Sequence, residues 1–465
     1  MPSIPLMNAR ASAVDTSTHW APYEPGEQAP WNLARVVHLH RRAAFAAPWG
    51  RLQLDLKAGP GQAVDRLLRG EDENASSGFD AMASTIGDAA AASGSAARLK
   101  AWWLYRMLLS PDPLGERLTL MWHNHFATSN RKVEDLVRMR QQNERFRTHA
   151  RAPFGELLGA VVKHPAMLVW LDADSNRRGH PNENLARETM ELFTLGVGNY
   201  TEHDVQEAAR ALTGWTIKGN RFDVIEARHD DGEKIVLGQR GKLTGDDFLQ
   251  LLLEQPATSQ RLAWRICSQF MGEEVVNEEA LAELADGLRA RDLDIGWAVE
   301  TVLRSQLFFC EANLRTRVQG PVEYLVGALR ALELTDPPPS TLLLAEWSAR
   351  MGQDLFYPPN VGGWNEGRSW LSSRAIVARA NFADALVQGR LWHPTRETQI
   401  SQLPIRHGQA AEWEPNVSWF AALLWGDDAP ECLPAVVEAA RAADDESPLA
   451  TAVSLLLAHP EHPLA

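Results

Sequence analysis

From residue 98 onward the apolar residues of this chain recur at the spacing of a helix, with few alternating runs between them. Leu118, Trp122 and Phe126 stand at i, i+4 and i+8, a single stripe down one face. Leu33, Val36, Val37 and His40 share that period, as do Val64, Leu67 and Leu68, so residues 30–69 read as two helices. Helices that are not interleaved with strands cannot build a parallel sheet, and the predicted fold is an all-α, multi-helix globular array. One segment departs from it. Residues 216–238 carry β-branched runs around Asp231-Gly232, which predicts a small β-hairpin insertion with its turn at that dipeptide.

Residues 1–29 are polar and read as an irregular N-terminal arm. Residues 30–394 form the main helical domain, and 395–465 a Pro-punctuated C-terminal helical extension. The Gly-, Ser- and Ala-rich stretch 70–97 reads as a flexible surface loop. Thr201 and Asp204 have the spacing of a capping box ahead of a helix over 203–213.

An apolar content of 45% supplies a core, and the net charge of -14 disfavours a phosphate backbone as a broad partner. The basic stretch 131–151 reads as a solvated helix face. Three cysteines at 267, 310 and 432 lack the spacing of a zinc knuckle or a disulfide framework. No apolar run is long enough for a membrane span, and the start has no signal-peptide pattern, so the chain as given reads as cytoplasmic.

Polar residues gather in four places. His123, Asn124 and His125 lie near a helix end; imidazole suits a divalent metal, yet i and i+2 on a helix point roughly 200° apart. Asn184, Arg187, Glu188 and Glu191 fall on one helical stripe, with Glu183 in its first turn. They could hold a metal or a substrate, or form an ordinary solvated face of i, i+4 pairs. His229-Asp230 sits near the predicted hairpin tip. The loop 357–364, with Pro358, Pro359 and Trp364, is either an aromatic wall or a connector sealing the core.

Several strings together resemble a bacterial family catalogued as domain of unknown function 1800. They are His38 to Ala43, Glu116 to Phe126, the run from Asn182 to Trp215, His229-Asp230 with Lys234, Pro321-Val322-Glu323, and Pro358 to Trp364. The resemblance implies a helical protein without a settled activity. It also implies a sulfatase-like or alkaline-phosphatase-like partner, and export for many members. Two functions follow as expectations. In the first, a metal-assisted hydrolase or acid/base catalyst, His123, His125, Glu188 and Glu191 hold a divalent metal. Glu183, Asp230 and His229 act as acid or base, and Asn124, Asn184, Arg187, Trp215 and Trp364 bind substrate. In the second, the same groups form a polar network that fixes helix packing in a non-catalytic binding or assembly protein.

Overall fold

A computed structural model describes residues 19–70, 73–443 and 447–465. Residues 1–18 of the expected arm lie outside them. The described residues contain 23 α-helices and two separate two-stranded antiparallel sheets. None of these helices is long and apolar enough to cross a membrane.

The apolar faces gather into two clusters, and several helices contribute to both. From Leu33–Ala43, Val36 and Val37 enter one cluster while Leu39 and Ala43 enter the other. From Pro113–His125, Leu120 faces the first, and Leu114, Leu118, Met121 and Trp122 face the second. The C-terminal helices Trp413–Trp425, Leu433–Ala442 and Pro448–Ala458 pack into the first cluster beside helix Pro321–Ala331.

Charged residues pin the seam between the two clusters. Buried Glu323 accepts from Arg317 at 2.6 and 3.0 Å and pairs with Arg117 at 2.5 Å. Burial pushes its carboxyl up, but Arg117 and Arg317 overcome that and hold it down to about 2. Arg42 donates to the carbonyls of Phe270 and Asn313, each at 2.9 Å. Removing one member of such a buried set costs about 3–5 kcal/mol.

Four expectations change. The stretch read as a loop contains a 20-residue helix, Glu73–Ala92. Alanine is the best helix former, and here its small side chains let the helix lie against Trp102. The Trp102 indole donates to Ala83 O at 2.6 Å, and a Cβ on Gly87 would stand 2.6 Å from the indole. Residues 30–69 form three helices, because Gly59, at φ +87°, separates Trp49–Ala58 from Pro60–Arg69. The hairpin is two hairpins. Trp215–Lys218 pairs with Arg221–Val224, and Lys234–Val236 with Gln239–Gly241. The second turns at Leu237 and Gly238, both at positive φ, as a tight hairpin demands. Asp231-Gly232 lies between the hairpins, where the Asp230 carboxylate accepts from Gly232 N–H at 3.0 Å. The basic face is also not wholly solvated: Arg147 turns inward to Glu116 at 2.7 and 3.0 Å.

Candidate functional site

Helix Pro113–His125 starts on Asp112, whose side chain accepts from Gly115 N–H at 2.9 Å, and stops at Phe126. Its last three residues take three separate directions, as their angular spacing requires. His123 is buried, stacked on Trp364 at 5.4 Å and edged by Trp103, Phe146 and Phe356. Neither ring nitrogen has a hydrogen-bond partner among the described residues. Burial pushes its pKa down to about 3, so the ring is neutral at pH 7. His125 bonds through Nε2 to Phe193 O at 3.0 Å; burial, then nearby Arg265, lowers it to about 3 as well.

Asn124 points into the loop 360–366. Its Oδ1 accepts from Trp364 N–H at 2.7 Å, and its Nδ2 donates to Glu366 at 2.7 Å. Gly363, at φ +85°, is required here, since a Cβ would lie 2.2 Å from Asn124 Oδ1. Arg265 grips the same Glu366 carboxylate at 2.8 and 2.9 Å. Burial opposes the charge on Glu366, yet Arg265 and Asn124 keep its pKa below the usual range.

The acidic stripe begins in the short helix Asn184–Glu188 and runs into a π-helical turn, Thr189–Thr194. Asn182 Oδ1 accepts from Asn184 N–H at 3.0 Å, while the Asn184 amide reaches Asp172 at 3.3 Å. In the π turn Leu195 N–H returns to Met190 O at 2.7 Å, and the His125 ring answers the Phe193 carbonyl. Such turns often mark functional segments. Arg187 bridges Glu183 and Glu202. Glu191 accepts from Tyr200 OH at 2.6 Å. Glu188 is partly buried, and burial followed by the charge on Glu191 raises its pKa.

His125 therefore meets the segment that carries the acidic stripe, but through a backbone carbonyl. The two histidines, Glu188 and Glu191 do not come together: His123 is closed in by aromatic rings, and among the described residues no three His, Cys, Asp or Glu side chains are arranged to hold a metal. Asp230 and His229 belong to a third place. Arg210 grips Asp230 at 2.8 and 3.2 Å and holds its carboxyl down to about 2. His229 Nδ1 lies 3.0 Å from Thr213 O, and buried Lys234 donates to the Asp230 and Gly232 carbonyls. Trp215 packs on Phe222 in the first hairpin, whereas Trp364 stacks on His123.

Arg265, Glu366 and Arg317 went unread in the sequence. Arg265 follows Leu262 on a helix face, at core spacing, and an arginine there signals a buried partner. Glu366 and Arg317 border a cleft of about 400 Å³, lined also by Trp264, Ser268, Glu273 and Gly367 among others. Trp264 is 43% exposed.

No curated protein and no solved structure matches the chain. A family model described as a protein of unknown function, DUF1800, matches residues 38–464, and the chain belongs to that family.

Proposed function

We propose that the protein is a non-catalytic binding protein, and that the cleft beside Glu366 receives a basic, partly apolar segment of a partner protein. The observation that carries this reading is the Asn124–Glu366–Arg265 clamp. It fixes an ionised carboxylate at the cleft wall, with an exposed indole, Trp264, beside it. The carboxylate accepts three hydrogen bonds, two from Arg265 and one from Asn124, which leaves about one of its lone-pair sites for an ammonium or guanidinium group. An aromatic face adds attraction for a cation. The net charge of -14 would steer a basic partner toward the molecule. His123, Asn124 and His125 serve this site by packing: they tie the helix end to the loop that carries Glu366 and to the π turn.

The partner implied by the family resemblance is a sulfatase-like or alkaline-phosphatase-like protein. Its affinity for wild type, Glu366→Gln and Trp264→Ala, measured by biolayer interferometry, tests the cleft. Both substitutions should weaken binding, Trp264→Ala without lowering the melting temperature and Glu366→Gln with some loss of stability because buried Arg265 loses its partner, and added salt should weaken the wild type. Equal affinity for all three proteins would refute this reading.

One observation favours a second reading, acid/base catalysis with or without a divalent metal. Glu188 is a partly buried carboxyl with a raised pKa beside Glu191 and Tyr200, the environment of a proton donor. Metal analysis of the purified protein, and hydrolysis assays before and after Glu188→Gln, address it. A metal or an activity lost in that variant, while the fold stays intact, would support it. Unchanged metal content and activity would remove it.

A further inference from the structure

A second cleft, separate from the one beside Glu366, opens where the start of helix Leu33–Ala43 meets helix Trp413–Trp425. It measures about 450 Å³ and is bordered by Asn32, Trp49, Gln409, Ser418, Trp419 and Asp428 among others. Among the described residues that line it there is no lysine, arginine or histidine, and Asp428 is the one charged group.

The wall is fixed from behind. The Trp49 and Trp419 rings meet at 5.0 Å, and the His407 ring stacks on Trp419 at 5.9 Å. His407 Nε2 in turn lies 2.7 Å from the Glu333 carboxylate. Gly426, at φ +76°, lets the end of helix Trp413–Trp425 close onto helix Leu33–Ala43, since a Cβ there would stand 2.6 Å from Ala34 Cα. Gln409 sits on a tied turn: its N–H donates to Pro404 O at 3.0 Å, and the Asn416 amide donates to Ala410 O at 2.9 Å. The Ser418 hydroxyl donates to the Asp428 backbone carbonyl and holds that residue at the rim. The polar groups on this wall keep capacity to spare. Asn32 Oδ1 caps its helix by accepting from Arg35 N–H at 3.1 Å, which leaves the Asn32 amide N–H groups without a partner among the described residues. The Gln409 side-chain amide and the Asp428 carboxylate, both on exposed residues, are likewise unpartnered there. Trp49 is only partly buried.

These features select a ligand class. An anion meets the Asp428 charge with no cation to offset it, and a simple cation gains little from one exposed carboxylate. A purely apolar ligand would cover the amides without satisfying them. Hydroxyl groups both donate and accept, so they match a carboxylate and two amides together. The electron-rich face of an indole suits a ligand that also presents a row of C–H groups. A pyranose ring has both, hydroxyls around its edge and C–H groups on its face. Pockets for small ligands pair such a wall with a few fixed polar groups. We propose that this cleft binds a neutral hexopyranose. Trp49 takes the C–H face, Asp428 and the Gln409 carbonyl accept from hydroxyls, and the Asn32 and Gln409 amides donate to them.

The test uses the full chain and four probes: the methyl glycosides of glucose, galactose and mannose, and glycerol, which has hydroxyls but no ring face. Saturation-transfer NMR should show saturable binding of at least one glycoside in the millimolar range, with the protons of one ring face nearest the protein, and none for glycerol. Asp428→Ala should weaken that glycoside by about tenfold, the loss of roughly one charge-assisted hydrogen bond, and Gln409→Ala by less. Both residues are exposed, so both variants should keep the wild-type melting temperature. Hydrogen exchange on the wild type should show the glycoside protecting residues around 32–36 and 408–428, a readout that needs no variant. The proposal falls if none of the three glycosides binds saturably, or if glycerol binds as well as they do. It falls equally if Asp428→Ala and Gln409→Ala both bind the glycoside as tightly as wild type, or if the protection maps elsewhere.

Discussion

The chain has two His-x-His pairs, and the same two-residue spacing leads to different chemistry. At 123 and 125 one ring is enclosed by aromatic groups and the other is tied to a backbone carbonyl. At 38 and 40 one ring meets the Phe308 carbonyl at 3.0 Å, while the other shares a carboxylate with an arginine at the edge of a cleft. Helical geometry separates the rings of each pair in the same way. What differs is the neighbour each ring meets. A His closed in by Trp and Phe is a shaped, neutral filler; a His oriented by Asp is poised to exchange hydrogen bonds.

The comparison breaks most visibly at Asp55. Asp55→Ala strips the acceptor from buried His40 and from Arg66, and should cost about 3–5 kcal/mol in urea denaturation. His123→Phe keeps shape and removes two unmatched nitrogens, so it should change stability by less than about 1.5 kcal/mol. Equal costs would erase the distinction between the two pairs.

Next comes pH. His123 and His125 titrate near 3 in the folded protein and near their ordinary value of 6.5 when unfolded. Between these limits the unfolded chain binds the protons and the folded one does not. The stability they contribute is therefore full above pH 6.5 and is lost as pH falls toward 3. Each ring should contribute a slope of up to about 1.4 kcal/mol per pH unit. A stability profile of His123→Phe that runs parallel to wild type between pH 6 and 4 would contradict the burial of that ring.

His125→Phe should lose about 1–3 kcal/mol, because the Phe193 carbonyl is left without its donor. This cost should exceed that of His123→Phe, and denaturation of the two variants side by side checks the order. The smallest effect is expected at Glu188. Its folded pKa is raised, so its contribution is present below the ordinary carboxyl value and declines as pH rises. Glu188→Gln should then stabilise the protein at pH 7 by less than about 0.5 kcal/mol. A clear loss of stability would reveal a partner for the carboxylate.

Local signals in the sequence were readable where the physics is local. The Thr201–Asp204 capping box forms as spaced, and so does the Leu118–Trp122–Phe126 stripe. The two-residue argument at His123 and His125 also holds, since their rings part company. Glu73–Ala92 was hidden because glycine and serine there masked an alanine face that needs Trp102 to be stable. The Asn124–Glu366 clamp joins residues 242 positions apart, and no local period announces such a pairing. The inward turn of Arg147 to Glu116 is equally non-local, as is the seam at Glu323. The π turn was invisible too, because its composition matches that of an α-helix.

That turn has a bearing on how the chain can vary. A π turn holds one residue more than the α turn it replaces, so Thr189–Thr194 acts as a built-in insertion. Deleting a single residue there would let the helix close up in ordinary register and swing everything before it by roughly 100° about the axis. The Phe193 carbonyl would retreat from His125, and the row from Glu183 to Glu191 would no longer share one side. Length across these six positions, more than the identity of any of them, keeps the two halves of the polar surface in step.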